Sequence, residues 1–388
     1  MRMKKLMAMG LALIVSSMSL AGCQQTDGNT TQGGADTIKI GGSFDLTGKA
    51  AQYGIAASNG AKLAIDEYNA NGGVLGKQIE FILEDNKASQ VDATNAFKKL
   101  VDNDKIVAFI GSDISGTTET IANLAAERNI PMITPTGTKL GITSIGENIF
   151  RACYVDPAQG ELLAKFANED LKAKKAALMV NSEIDYSTGI AEAFKEVFEA
   201  NGGAVVETVN YGENDVDFKP ILANLKNANA DIIVIPDYYE KIADIAAQAR
   251  EIGITATLVG GDGWDGVTEK TVNNPEVVEG SYFVNHYTVE DDAAIVQDFI
   301  KSYRETYKEE PNAFSALGYD AARILIEAIK TSNNTEADAI VAAMKNTSLD
   351  CVTGHITFDE NRNPIKSVSV IKIEDGKNKL YKKLEASK

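Results

Sequence analysis

The chain of 388 residues carries 38 Lys and Arg against 55 Asp and Glu, a formal charge of −17, and 44% of its residues are hydrophobic. So acidic a balance argues against a nucleic-acid partner, since affinity for a phosphate backbone comes from Lys and Arg that neutralise phosphates. Three cysteines and two histidines leave little material for a Cys/His metal centre, and neither metal nor cofactor is expected.

Arg2, Lys4 and Lys5 precede a mostly apolar run over 6–20. The run is short of the roughly 20 residues a bilayer-spanning helix needs and has the form of an export signal. It ends in Leu20-Ala21-Gly22-Cys23, which resembles a lipobox. The resemblance implies removal of 1–22 and diacylation of the Cys23 thiol. Loss of three positive side chains would then take the charge from −17 to −20. A tether over 23–36, rich in Gln, Thr, Gly and Asn, follows. No later stretch is long enough to span a bilayer, so the rest reads as a soluble, extracytoplasmic body that meets the membrane through its lipid.

From 37 onward, short apolar strands alternate with amphipathic helices. Strands are predicted at 38–44, 79–83, 106–110 and from 131. Helices are predicted at 59–69, around Ala93, Ala96, Phe97, Leu100 and Val101, and at 121–126. The series then restarts. Strands at 176–180, 204–207, 232–235 and 257–259 are interleaved with a helix striped by Ile190, Phe194, Val197 and Phe198. A second stripe runs through Ile242, Ile245, Ala246, Ala249 and Ile252. Ala70-Asn71-Gly72-Gly73 and Ala200-Asn201-Gly202-Gly203 close corresponding helices of the two series, the first glycine for a left-handed helix end and the second for chain reversal. Continuous Val, Ile, Ala and Phe in the strands predict parallel sheets covered by helices on both faces. The fold class is therefore α/β with two similar Rossmann-like lobes. The remainder holds helices at 293–307 and 315–330 and strands at 356–358 and 368–373. It is too small for a third lobe and is expected to complete the first two by crossing back between them.

Ligands of open parallel sheets bind beyond the carboxyl ends of the strands. In the first lobe those loops carry Tyr53, then 111–117 with Ser115 and Thr117, then 134–138 with Thr136 and Thr138. In the second they carry Tyr186, Tyr238 and Asp262. One lobe thus offers hydroxyls and a helix start, whose unpaired N–H groups attract an anion; the other offers a carboxylate and aromatics. The set suits a zwitterion: Ser115 and Thr138 for a carboxylate, Asp262 for an ammonium, Tyr53, Tyr186 and Tyr238 around an apolar side chain. Taken singly, each has a plainer reading, as helix caps, half-buried packing or a turn.

The order of motifs from about 37 to the end resembles the type I periplasmic-binding family, in particular the branched-chain amino-acid (Leu/Ile/Val) binding proteins. The carrying segments are Ile38-Lys39-Ile40-Gly41 with Leu46-Thr47-Gly48, Gln52-Tyr53-Gly54, Asn59-Gly60-Ala61, Ile110-Gly111 with Ser115, Phe150-Arg151 and Gln159-Gly160. Further on are Gly260-Gly261-Asp262-Gly263 and Ala316-Leu317-Gly318-Tyr319-Asp320-Ala321-Ala322. The resemblance implies two lobes joined by a three-strand hinge and closing on ligand, divided as 37–155 plus 286–363 and 156–285 plus 364–388. It implies Ser115, Thr136 and Thr138 as contacts to the α-carboxylate and ammonium, Asp262 as the acidic ammonium partner, and Tyr53, Tyr186 and Tyr238 as side-chain pocket. The acid is Asp262 where well-known members carry a longer Glu, and the disulfide of some members has no counterpart near Asn86 and Ile114. Asp113 and Asp237 nearby could admit a polar or basic side chain.

The expected function is the substrate-binding lipoprotein of an ABC importer, not an enzyme. It would be a monomer that binds a free α-amino acid, branched-chain or otherwise apolar, and delivers it to a membrane permease. An amino-acid-sensing receptor subunit, or a binder of amides, urea or peptides, are the alternatives. Gly261-Asp262-Gly263-Trp264-Asp265-Gly266 spells a dinucleotide fingerprint, but it follows a late strand and holds a bulky Trp and two acids. Residues 359–363 mimic the start of a calcium loop, with Pro364 where glycine is needed.

Overall fold

The computed structural model describes residues 37–384; the export signal, Cys23 and the tether lie outside them. Five strands, β1 (Ile38–Phe44), β2 (Ile79–Asp85), β3 (Ala108–Gly111), β4 (Met132–Thr134) and β5 (Ile149–Arg151), form one all-parallel sheet in the order β2-β1-β3-β4-β5. Every residue of β3, β4 and β5 is buried, because helices cover both faces and the strands can be apolar throughout. The helices are α1 (Ala51–Ala70), α2 (Gln90–Lys99) and α3 (Ser115–Arg128). The first runs back to Ala51 from the predicted start at 59, its opening turns mixing Ala, Gly and Ser with Gln52, Tyr53 and Ile55.

The second sheet has the order β15-β14-β10-β9-β8-β6-β7. It combines parallel β6 (Lys175–Asn181), β7 (Ala204–Tyr211), β8 (Ile232–Val234), β9 (Thr257–Gly260) and β10 (Tyr282–Asn285) with antiparallel β14 (Val368–Glu374) and β15 (Lys377–Leu384). Its helices are α4 (Asp156–Glu169), α5 (Asp185–Ala200), α6 (Lys219–Ala228), α7 (Tyr239–Glu251) and short α8 (Val267–Lys270). The antiparallel pair departs from the all-parallel expectation. Outermost β15, Lys-Asn-Lys-Leu-Tyr-Lys-Lys-Leu, has the lysine content that keeps an edge strand from pairing with another chain.

After β10 the chain returns to the first lobe with α9 (Ala294–Tyr307), α10 (Ala313–Ser332) and α11 (Ala337–Lys345). A small antiparallel sheet of β11 (Ser348–Cys351), β12 (Gly354–Phe358) and β13 (Pro364–Ile365) precedes β14. The backbone therefore passes between the lobes after β5, after β10 and after β13. Long helices α1 and α10 pack along each other, and two glycines make this possible. A Cβ on Gly60 would sit 1.9 Å from the Ser315 carbonyl oxygen, and one on Gly318 2.0 Å from that of Ala57.

The two Asn-Gly-Gly strings do end α1 and α5, with Gly72 at φ +98° and Gly202 at φ +83°. The second glycines differ. Gly73 also has positive φ (+77°), whereas Gly203 is required by packing, as its Cβ would meet the Phe198 ring at 2.4 Å. Cys153 and Cys351 are buried free thiols, and burial pushes the Cys153 thiol up to about 12. Residues 359–363 are a turn in which one Asp359 carboxylate oxygen accepts from the backbone N–H of Asn361 and Asn363. No described helix is long and apolar enough to cross a membrane, and among the described residues no cluster of His, Cys, Asp and Glu is placed to hold a metal.

Candidate functional site

The carboxyl ends of the two sheets face each other across one narrow cavity, with about 10 Å³ of free volume as the lobes stand. All seven predicted residues, Tyr53, Ser115, Thr136, Thr138, Tyr186, Tyr238 and Asp262, line it, joined by Asp113, Ile114, Gly263 and Phe314. A much wider groove of about 1040 Å³ opens elsewhere, beside Gln52, Glu269 and Glu309; none of the seven faces it.

On the first lobe α3 starts in the cavity wall. Its N-cap is Ile114, with no side-chain hydrogen bond, where Ser, Thr, Asp or Asn would normally satisfy the free N–H groups. Ser115 is the first helical residue, not a cap. A buried helix start without a cap is left to be completed by something else, and its dipole favours an anion. The Ser115 hydroxyl accepts from the backbone N–H of Lys139 at 3.2 Å and stands 3.5 Å from that of Thr138. Thr117 is turned away, donating to Ser112 Oγ and the Ile114 carbonyl. Thr136 donates to the Asp113 carbonyl at 2.7 Å, so it braces one loop on the next. Fully buried Arg151 holds the same loop by donating to the carbonyls of Gly137 at 2.7 Å and Lys139 at 2.9 Å.

On the second lobe the Asp262 carboxylate is buried and held from two sides. Tyr186 donates to Oδ1 at 2.9 Å, and His286 Nε2 lies 2.9 Å from Oδ2. Burial, reinforced by the charge of Lys366, pushes His286 down to about 4, so near neutral pH the imidazole is uncharged. With the proton on Nε2 it donates to Asp262, leaving Nδ1 without a partner, while its ring stacks on Tyr154 at 3.6 Å. The backbone N–H of Asp262 donates to Gln159 Oε1 at 2.9 Å. Trp264 anchors the turn by donating to the Ile235 carbonyl at 2.8 Å. The glycines of this segment serve packing rather than phosphate, since a Cβ on Gly263 would lie 2.4 Å from the Asp237 carbonyl oxygen.

The tyrosines line the cavity with their rings, but two of the hydroxyls are committed elsewhere. Besides Asp262, the Tyr186 hydroxyl accepts from Gly263 N–H at 2.8 Å. Tyr53, on α1, reaches across to the second lobe: its hydroxyl donates to the Gly263 carbonyl at 2.5 Å and accepts from Tyr239 N–H at 2.9 Å. The Tyr53 ring stacks on Phe314 at 4.0 Å, and Tyr186 stacks on Tyr238 at 5.1 Å. Asp237, one of two acids placed near the pocket by sequence, does not line it. Its carboxylate accepts from Tyr211 Oη, Asn181 Nδ2 and Tyr238 N–H.

Sequence reasoning assigned no role to His286, Gln159, Arg151 or Phe314. The first two act on Asp262, Arg151 on the hydroxyl loop, and Phe314 forms part of the wall. Strand order brings His286 to the site: it directly follows β10, the parallel neighbour of the β9 that leads into Asp262, an adjacency no spacing in the chain reveals.

The family model for periplasmic binding proteins matches residues 37–378. The Leu/Ile/Val-binding protein BraC3 of Rhizobium johnstonii is 30% identical over 375 residues, covering 94% of this chain and 97% of its own. The branched-chain amino-acid transporter substrate-binding protein LivJ of Streptococcus pneumoniae, solved in complex with isoleucine, superposes with a TM-score of 0.84. It is 33% identical and covers 90% of this chain and 99% of its own. A solute-binding protein of an ABC transporter from Rhodopseudomonas palustris, in complex with 3,4-dihydroxybenzoic acid, gives a TM-score of 0.82 at 26% identity over 91% of this chain and 98% of its own.

Proposed function

The chain belongs to the type I periplasmic binding proteins, in their branched-chain amino-acid family, and from that premise we propose that it captures a free α-amino acid outside the cytoplasm for an ABC importer. One observation carries the reading: an uncapped, buried helix start with the Ser115 and Thr138 hydroxyls faces a buried carboxylate, Asp262, across one small cavity. The first half complements a carboxylate and the second an ammonium, and an α-amino acid carries both on adjacent atoms.

The two halves stand on different lobes. Only the closed arrangement lets one molecule touch both, so ligand binding favours closure by its differential affinity for that state. Tyr53 already bridges the lobes, and the ligand adds an ionic link beside it. A carboxylate–ammonium pair at about 4 Å is worth roughly 4 kcal/mol at an effective dielectric of 20, before desolvation is subtracted. We take the closing bodies as 37–155 with 286–363 and 156–285 with 364–388. The chain would act as a monomer, tethered through acylated Cys23, and present both lobe surfaces to a permease. No residue set in the cavity calls for catalysis.

An aromatic acid such as the ligand of the Rhodopseudomonas protein would satisfy the helix start but leave buried Asp262 without a cation, which is unfavourable. The test is a melting-temperature scan of protein from residue 37 onward, stripped of ligand, against the twenty amino acids, GABA, urea and 3,4-dihydroxybenzoate. A ligand of the folded state adds about 2.7 kcal/mol of stability at a hundredfold excess over its dissociation constant. A response confined to α-amino acids is the expected result; a response only to the benzoate or to urea would sink the zwitterion reading.

A further inference from the structure

Asp113 has a place in the cavity wall that an aliphatic ligand leaves unexplained. It is 2% exposed. Its Oδ1 accepts from the backbone N–H of Asp45 and the Ser112 hydroxyl, both at 2.9 Å, and its own carbonyl accepts from Thr136. The side chain is thus pinned and not free to swing to solvent. Its Oδ2, equally buried, has no hydrogen-bond partner. Nor does the Tyr238 hydroxyl in the same wall bond to any of the described residues, although the Tyr53 and Tyr186 hydroxyls do. Two carboxylates line the cavity and no Lys, Arg or His does.

An α-amino acid with an aliphatic side chain would bring one ammonium to Asp262 and nothing to Asp113. The free oxygen would then be sealed beneath apolar groups, and a buried charged acceptor left unpaired is among the more expensive states in a protein. We infer that the cavity is built for an α-amino acid whose side chain ends in a hydrogen-bond donor, received by Oδ2 of Asp113. This rests on the zwitterion reading and narrows it to a substrate class. Burial pushes Asp113 up to about 6, so at neutral pH it remains mostly an anionic acceptor that seeks a donor. A hydroxyl is the shortest such donor and is tested first, ahead of an amide or a long ammonium side chain.

Threonine and valine are nearly isosteric and differ by hydroxyl against methyl, which isolates the contact. Calorimetric titration should find threonine bound about ten- to hundredfold tighter than valine, the range expected of one hydrogen bond to a charged group. Serine, asparagine and ornithine in the same panel identify which donor fits. Asp113→Asn keeps an oxygen for Asp45 N–H while turning the free position into a donor, and should abolish the threonine preference. Asp113→Leu should reverse it towards valine and leucine. Valine or leucine bound as tightly as any donor-bearing amino acid, with a ratio unmoved in Asp113→Asn, would overturn this inference and leave the zwitterion reading standing. Silence from every α-amino acid would overturn both.

Discussion

Asp262→Asn separates the charge of the site from its shape. The amide fills the same volume and its oxygen can still accept from Tyr186. The amide nitrogen would face His286 Nε2, a clash of donors, but the Nδ1 of His286 has no partner. The imidazole can therefore move its proton to Nδ1 and offer Nε2 as an acceptor. The unliganded variant should melt within a few degrees of the parent. Binding should suffer. A hydrogen bond to a charged group is worth roughly 1.5–3 kcal/mol, and the Coulomb limit is about 4 kcal/mol. A loss of about 2–3 kcal/mol corresponds to roughly 30- to 150-fold in the dissociation constant. At a ligand concentration giving the parent about 2.7 kcal/mol of stabilisation, the variant should gain less than about 1 kcal/mol. Calorimetry supplies the dissociation constants, and the same ligand without its amino group supplies the control, binding the variant at least as well as the parent. Undiminished affinity of the variant for the intact amino acid would refute the ammonium assignment.

Other perturbations test other parts. Tyr53→Phe removes the hydroxyl that joins Gly263 and Tyr239 across the lobes, and should weaken ligand binding by about 1–3 kcal/mol while small-angle scattering shows a more open average shape. Gly318→Ala places a Cβ 2.0 Å from the Ala57 carbonyl oxygen, so α1 and α10 must separate; a loss of about 1–3 kcal/mol or more is expected by denaturant titration. Asp156 is pushed up to about 8, mainly by burial, from 3.8. Its folded value exceeds the unfolded one, so its contribution falls as pH rises from about 4 to about 8. The melting point of Asp156→Asn should therefore rise relative to the parent across that window, and a constant difference would contradict it. Cys23→Ser, expressed with its leader, should fail to take up labelled palmitate and should leave the membrane fraction.

Legibility followed two-sided burial. The strands β1, β3, β4, β6, β8 and β9 are nearly continuous runs of apolar residues because helices cover both faces, and such runs stand out in a sequence. Outermost β15 alternates Lys and Asn with Leu and Tyr and carries no such run; β5 is three residues long and ends in buried Arg151. Both went unread. In the site, the loops at strand ends that carry the named residues line one cavity, since parallel topology alone brings those loops together. Side-chain direction was not readable. That Tyr186 would hold Asp262, that Tyr53 would bridge the lobes and that Asp237 would be consumed by Tyr211 and Asn181 depends on tertiary distances. The resemblance placed Gly60 and Gly318 in the right segments without a reason; the reason is the backbone contact between α1 and α10.

The division of labour between the lobes bears on why the acid can be short. A carboxylate that must reach its ligand from a mobile side chain loses rotamer freedom on binding. Asp262 has little to lose: two donors fix its oxygens, Gln159 fixes its backbone, and Trp264 fixes the turn. His286 lies at the second passage between the lobes and buried Lys366 at the third, where its ammonium donates to Thr353 at 2.9 Å. Of the groups that hold Asp262, His286 thus stands at a passage between the lobes, while the start of α3 belongs to the opposite lobe. A change in hinge geometry moves the acid relative to α3 and alters the distance a zwitterion must span. On the proposed reading, closure and recognition are one movement.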